Sequence, residues 1–434
     1  VLASTPPMGW NSWDCYGTTV TEEEVLANAR VLAERLLPQG WDTVVVDIAW
    51  YDPTARAHGY NDGAPVELDG FGRQLPATNR FPSAAGGAGF APLAERVHAL
   101  GLKFGVHVMR GIPRRAVELD LPVEGTSWTA SQIADPDHVC AWNPDNLGLD
   151  HGHPGAQAWY DAQVAQLAAW GVDLLKVDDM QAPFYEREIA AYSRAIERSG
   201  RPIVLSLSPG THLSTRHVDH LRVTAQMWRI SDDLWDRWED VHAQLARLAR
   251  WAPFQRPGGW ADADMLPLGR IGLRAERGEP RDSSLTWDEQ RTLLTLWCMA
   301  RSPLMLGADL PSTDEATFGL LTAPAVPEVL NGSTDGAEVV REPVEDGELV
   351  VWAARSATTD RAYGALVWTG PTARTVRVPV ATVVGTGAGA RPWALTDLWA
   401  GTQDAPEGGL ALVGGELEAH VPPHGVRWVA LDPA

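Results

Sequence analysis

Gly171-Val172-Asp173-Leu174-Leu175-Lys176-Val177-Asp178-Asp179 is the stretch whose reading decides the fold. An apolar run bounded by glycine and ending in two carboxylates reads as a buried parallel strand opening into a loop. Residues i and i+2 of a strand share a face, so Lys176 and Asp178 point the same way while Asp179 turns off. Lys103 and Lys176 are the only two lysines among 35 basic residues. A chain this averse to lysine would place arginine wherever mere positive charge sufficed, so Lys176 marks a position that needs a slim, single-point ammonium. An ammonium beside a carboxylate at the C-terminal end of a buried strand is where α/β barrels keep their chemistry. A structural ion pair at a strand end is the competing reading.

Outward from this strand, segments of strand and helix character alternate. Strands are predicted at 7–13, 43–50, 103–110, 173–179, 202–208, 223–230, 259–265 and 303–307. Helical patterns lie between them at 22–37, 91–100, 155–170, 185–198, 214–221, 234–252 and 287–301, with a last one at 314–321. Gly40, Gly101, Gly171 and Gly200 stand just past helix ends, where a left-handed cap is expected. Eight alternations predict an α/β fold, a (β/α)8 TIM barrel over residues 1–324. A doubly wound open sheet is the rival, but no glycine-rich phosphate turn follows the first strand. Beyond the barrel, short β-rich runs at 338–341, 348–353, 363–368, 375–380, 393–397, 410–413 and 425–431 are separated by Gly, Asp and Pro turns. They predict a C-terminal antiparallel β-sandwich over 325–434.

Composition narrows the function. A net charge of −21 argues against nucleic acid or an anionic membrane as partner, since both require a positive face. No apolar run is long enough to predict a membrane span. The start, Val1-Leu2-Ala3-Ser4-Thr5-Pro6-Pro7, has neither a charged n-region nor an apolar h-region, so no signal peptide is visible, and it also lacks an initiator Met. The three cysteines, Cys15, Cys140 and Cys298, are too few for a disulfide framework. Twenty tryptophans are an unusual number, and an indole face suits stacking on sugar rings as well as packing in a core.

Carboxylates and indoles gather at predicted strand ends: Trp10, Trp13 and Asp14; Asp47 and Trp50; Lys176 and Asp178; Arg229, Asp232 and Asp233; Trp260, Asp262 and Asp264. A lone Asp at a strand end is often a helix N-cap. Aspartates from five strands at one rim fit the paired carboxylates of glycoside hydrolysis. Lys176 favours the charged form of Asp178, which suits a nucleophile, whereas the partner acid must hold a proton near neutrality. His151-Gly152-His153 and His217-Val218-Asp219-His220 lack a zinc spacing with further ligands, and Asp262-Ala263-Asp264 is a weak cation motif. No metal and no cofactor is predicted. Arg110, Arg114 and Arg115 read either as contacts to a substrate or as loop anchors.

Thr5-Pro6-Pro7-Met8-Gly9-Trp10-Asn11-Ser12-Trp13 resembles the opening motif of glycoside hydrolase family 27, the α-galactosidases and α-N-acetylgalactosaminidases. The resemblance continues through Gly101–Gly105, Gly171–Asp178, Trp228-Arg229, Gly259–Leu266 and Arg301–Leu310, and so covers the whole barrel. It implies a retaining exo-glycosidase acting on a terminal α-galactosyl-type residue through a covalent glycosyl-enzyme, its two carboxyl groups roughly 5–5.5 Å apart. Carried over by position, it makes Asp178 the nucleophile and Asp233 the acid/base, with Asp232 the neighbouring alternative. Trp10 would stack on the −1 sugar, Asp47 would bind its 4- or 6-hydroxyl, Lys176 another hydroxyl, and Arg229 would lie near the 2-position. Trp50, His107, Cys140, Ser208 and Asp264 complete the implied substrate-binding set.

The chain also departs from the family pattern. Where an Asp-Asp-Cys-Trp run is usual it has Asp47-Ile48-Ala49-Trp50, and where Tyr-x-Asp is usual it has His107-Val108-Met109. Replacing a carboxylate by Ile48 removes an acceptor for the 4- and 6-hydroxyls, worth about 1.5–3 kcal/mol. The sugar could therefore be galactose, β-L-arabinopyranose with no hydroxymethyl group, or glucose, as in the family's isomalto-dextranases. The position that selects 2-hydroxyl against 2-acetamido falls on Leu207 or Ser208, which leaves N-acetylgalactosamine open. Ala49 and Met180 occupy the family's usual disulfide positions, so free thiols and a cytoplasmic location are expected. A non-catalytic carbohydrate-binding barrel and a metal-dependent hydrolase are the rival classes. Both catalytic-type carboxylates together speak against the first. A carbohydrate is the expected partner, and nothing in the sequence bears on oligomeric state.

Overall fold

The computed structural model describes residues 1–388 and 391–434. All eight barrel strands form, each shorter than the apolar run that announces it. They are β1 (Met8–Asn11), β2 (Thr43–Val46), β3 (Lys103–Met109), β4 (Leu174–Asp178), β5 (Val204–Leu207), β6 (Met227–Arg229), β7 (Trp260–Asp262) and β8 (Leu304–Leu306). They pair in parallel in the order β7-β6-β5-β4-β3-β2-β1-β8. The ring closes through Leu266, whose N–H donates to Met305 O at 2.7 Å while its carbonyl accepts from Gly307 N at 3.2 Å. Close strand approach explains Gly9, where a Cβ would stand 2.1 Å from Thr43 O.

Helices α1 (Glu22–Val31), α2 (Ala91–Ala99), α3 (Pro154–Ala169), α4 (Glu186–Ser199), α5 (Val218–Thr224), α6 (Trp238–Trp251), α7 (Trp287–Met299) and α8 (Glu315–Leu321) follow their strands in turn. Capping boxes at Thr21/Glu24 and Thr286/Glu289 satisfy the first N–H groups of α1 and α7. The prediction for strand six began too early. Residues up to Thr224 finish helix α5, and Val223 is 77% exposed on it, because a helix turn with its own hydrogen bonds overrides the strand preference of a lone valine.

After helix α9 (Ala325–Gly332) come the antiparallel strands β9 (Ser333–Val344), β10 (Gly347–Ser356), β11 (Ala362–Trp368), β12 (Arg374–Pro379), β13 (Trp393–Asp397), β14 (Leu410–Val413), β15 (Glu416–Val421) and β16 (Val426–Pro433). They form one sheet in the order β9-β10-β11-β16-β13 and a second in the order β12-β15-β14. Strand β15 was absent from the sequence reading, although the Gly414-Gly415 turn and the buried alternation Leu417, Ala419, Val421 announce a hairpin. Val380, predicted to end a strand, instead opens a short helix, Val380–Val384.

Helix α7 is buried nearly all round, from Glu289 to Met299, because the sandwich covers the side that the barrel does not. Trp399 Nε1 donates to Thr295 Oγ1 at 2.8 Å, and Trp297, Trp352, Trp399 and Trp428 share one continuous core with the barrel. Twelve tryptophans are fully buried, so the indole excess serves packing far more than sugar stacking.

Candidate active site

The register of parallel strands brings the polar side chains to one rim. His107 on β3 lies opposite Lys176 on β4, and Lys176 lies opposite Ser206 on β5. Lys176 Nζ donates to Asp47 Oδ2 at 2.7 Å. Asn11 Nδ2 donates to the same oxygen at 2.8 Å, and Ile48 N donates to Oδ1 at 2.9 Å. Burial alone would raise the Asp47 carboxyl, but Lys176 and His107 hold it below the ordinary range.

Asp178 is the best-held carboxylate of the group. Its Oδ1 accepts from Asp179 N at 2.9 Å, and its Oδ2 lies 3.0 Å from His107 Nε2. A carboxylate only accepts, so Nε2 carries the hydrogen there. Burial opposes ionisation, yet the hydrogen bond and charge of His107, then Lys176 and the Asp179 amide, hold the Asp178 carboxyl well below its usual range. Asp179 has φ +61° and accepts from Arg110 Nη2 at 2.8 Å, which clamps the loop that follows the strand.

Arg229 is fully enclosed and forks between two acids, with Nη1 3.0 Å from Asp264 Oδ1 and Nη2 3.3 Å from Asp233 Oδ1. Asp264 Oδ2 also accepts from Leu234 N at 2.7 Å. Burial pushes the Asp264 carboxyl up to about 7; Arg229 counters this, and the charges of Asp233 and Asp262 add to it. Asp233 is 45% exposed and faces Arg229, whereas Asp232 turns outward, its Oδ1 accepting from Thr211 N at 3.3 Å. The raised carboxyl on the Arg229 side of the rim is that of Asp264, whereas Asp178 stays ionised.

Several expected substrate contacts lie elsewhere. Trp10, expected to stack on the sugar, is enclosed in the core with Nε1 donating to Ala308 O at 2.7 Å, and its ring edge meets Tyr16. Trp50 likewise packs against Phe90 and Trp170 and donates to His107 O at 2.8 Å, so it supports β3 from behind. Neither indole has a face left for a ligand. Burial pushes the Cys140 thiol up to about 12, which leaves it neutral. Ser208 is buried at the end of β5 with a hydroxyl that has no partner. Arg110 pairs with Asp179, Arg114 Nε donates to Pro144 O at 3.0 Å, and Arg115 Nη1 donates to Val66 O at 2.8 Å, so all three anchor loops. Asp264 pairs with Arg229, whereas Asp262 Oδ1 accepts from the Asp264 N–H at 2.9 Å. Among the described residues no cluster of three or more His, Cys, Asp or Glu side chains could hold a metal ion, and no helix is long and apolar enough to cross a membrane. Cys15, Cys140 and Cys298 are free and buried.

Three residues of the opening motif escaped assignment. Asn11 secures Asp47, and Trp13 follows β1 with its N–H held by Asn11 Oδ1 at 2.9 Å. Trp13 Nε1 has no protein partner. Asp14 is enclosed with an unpartnered Oδ2, and its carboxyl is raised by burial and then by Asp264 and Asp233. Trp10 and Trp13, three residues apart, cannot be told apart in sequence, because only the first turn of backbone after β1 decides which indole faces the rim.

Comparison with known proteins agrees with this chemistry. Residues 145–328 match the family model of alpha galactosidase A, and residues 346–431 match that of the alpha galactosidase C-terminal beta sandwich domain. An alpha-galactosidase of Cyamopsis tetragonoloba is 25% identical over all of this chain and 87% of its own length. An alpha-N-acetylgalactosaminidase of Rattus norvegicus is 28% identical over 74% of this chain and 67% of its own. A GH27 β-L-arabinopyranosidase of Geobacillus stearothermophilus, solved in complex with arabinose, superposes with a TM-score of 0.93 at 44% identity, covering 100% of this chain and 98% of that one. With this identity running through both the barrel and the sandwich, the chain belongs to glycoside hydrolase family 27 and is a glycoside hydrolase.

Proposed function

We propose that the protein is a retaining exo-glycosidase that removes terminal β-L-arabinopyranosyl residues. β-L-Arabinopyranose has the ring configuration of α-D-galactopyranose with hydrogen in place of the C5 hydroxymethyl group. The observation that carries the reading is Ile48: a buried isoleucine adjoins Asp47, where α-galactosidases of the family place a second carboxylate. An apolar wall there suits a ring that lacks the 6-hydroxyl and leaves that hydroxyl of galactose without an acceptor. The similarity to the Geobacillus enzyme supports the same choice.

In this reading Asp178 attacks the anomeric carbon as Asp233 protonates the departing glycosidic oxygen. The alcohol leaves, and a covalent glycosyl-enzyme forms with inversion. Asp233, now ionised, takes a proton from water, which attacks the same carbon with a second inversion and frees Asp178. Lys176 and Asp47 bind ring hydroxyls, Arg229 lies by the 2-hydroxyl, and Trp13 supplies the indole face first expected of Trp10. His107 keeps Asp178 ionised and aimed.

The experiment is a panel of p-nitrophenyl glycosides: β-L-arabinopyranoside, α-D-galactopyranoside, α-N-acetylgalactosaminide and α-glucoside. The β-L-arabinopyranoside should give the highest kcat/KM, with the α-galactoside about tenfold or more below it. A reversed order would overturn the sugar assignment.

A further inference from the structure

Beyond the −1 site, the rings of Trp13, Tyr60 and Trp142 form a continuous aromatic series that runs outward. Tyr60 stacks nearly parallel on Trp13, with centroids 5.7 Å apart and planes at 21°. Trp142 lies 5.6 Å further on at 41°. Exposure rises along the series, from 5% at Trp13 to 38% at Trp142. Tyr60 comes from the loop between β2 and α2 and Trp142 from the segment between β3 and β4, so two separate excursions of the rim meet there. Trp142 is the sole aromatic among the large apolar side chains left exposed in the described residues. An indole held against solvent by a neighbouring ring, rather than folded into the core, has the form of a binding platform.

We infer that Tyr60 and Trp142 form the leaving-group subsite and that its occupant is the neutral pyranose ring next to the scissile bond. The Tyr60 phenol is held above its ordinary range by burial and then by the charges of Asp178, Asp233 and Asp47, which puts it within electrostatic reach of both catalytic-type carboxylates. A pyranose presents axial C–H groups to an aromatic face and hydroxyls at its edge, so Trp142 meets the face and the Tyr60 hydroxyl meets the edge. The surrounding acids and the net charge of −21 disfavour an anionic aglycone. The inference rests on the glycosidase reading above and names the other half of its substrate.

The test compares two substrates sharing one −1 sugar: β-L-arabinopyranosyl fluoride, whose leaving group fills no subsite, and 3-O-β-L-arabinopyranosyl-L-arabinose. Trp142→Ala should lower kcat/KM for the disaccharide about tenfold more than for the fluoride, with Trp142→Phe recovering most of the difference. Tyr60→Phe should raise KM for the disaccharide selectively. Equal losses on both substrates, or none on the disaccharide, would overturn the subsite. If the wild-type protein hydrolyses neither compound, the same comparison is made with α-D-galactopyranosyl fluoride and melibiose. A wrong −1 sugar then shows as a change of active pair, and a wrong subsite as the absence of any differential loss.

Discussion

His107 Nε2 lies 3.0 Å from Asp178 Oδ2 and 4.0 Å from Asp47 Oδ1, so one enclosed imidazole on β3 joins the carboxylates at the ends of β4 and β2. The ring supplies a hydrogen bond that only the ionised form of Asp178 can accept in full, and it is the largest of the influences that oppose burial. His107→Phe should therefore raise the Asp178 carboxyl. The acidic limb of the kcat/KM profile should move to higher pH, with kcat falling more than KM changes. An acidic limb that stays in place would mean the ring is only packing. Asp178→Asn, by contrast, removes the proposed nucleophile and should abolish turnover at every pH.

The acid/base assignment separates two adjacent residues. Asp233 faces Arg229 while Asp232 turns to Thr211. Azide should restore turnover of an activated aryl glycoside by Asp233→Ala and yield a glycosyl azide of retained configuration. Asp232→Ala should keep most of its activity. If azide rescues Asp232→Ala instead, the two roles are exchanged.

Sugar selectivity should move with residue 48. Ile48→Asp restores an acceptor beside Asp47 and should shift the ratio of α-galactoside to β-L-arabinopyranoside kcat/KM toward galactoside by about tenfold or more, as expected for one charge-assisted hydrogen bond. Measuring both substrates on one preparation removes the effect of any general loss.

Stability should respond to pH through the Arg229 cluster. Burial pushes the Asp264 carboxyl up to about 7 in the folded protein, well above the range of an unfolded aspartate. Between about pH 4 and 7 the folded state thus holds a proton that the unfolded state has released. Stability from this group is greatest at the acidic end of that window and is lost as pH rises through 7. Burial raises Asp14 and Asp262 as well, with the same sign. The melting temperature should fall from pH 5 to pH 8, and Asp264→Asn should flatten the slope. An unchanged slope in that variant would assign it to other groups.

Trp428 joins the sandwich to α7 within the shared core, with Nε1 3.4 Å from Met299 Sδ. Trp428→Ala leaves a cavity in that core and should cost about 3–5 kcal/mol of stability. Calorimetry should show it as a lower melting temperature.

Much of this architecture is written in local pattern. Apolar runs announced each barrel strand, five of them with Asp at the end, and Lys176-Val177-Asp178 placed an ammonium and a carboxylate on one face by strand periodicity alone. Strand six and the Val380 segment were misread because a valine's preference is weak against the hydrogen bonds of a helix turn. The hairpin at Glu416 was overlooked although its glycine turn and alternation were present.

Residue chemistry and order along the chain were enough to identify the barrel, the sandwich and the glycoside hydrolase family, and Ile48 already pointed to a less polar sugar. Tertiary structure alone decided which indole faces the rim, Trp13 in place of Trp10, and which of two adjacent aspartates meets Arg229. It also turned His107 from a missing tyrosine into the partner of Asp178. These outcomes depend on strand register and on the direction of the first backbone turn after each strand, where a shift of one residue exchanges core for site. A single sequence carries no direct record of that register, because it is set by packing between segments far apart in the chain.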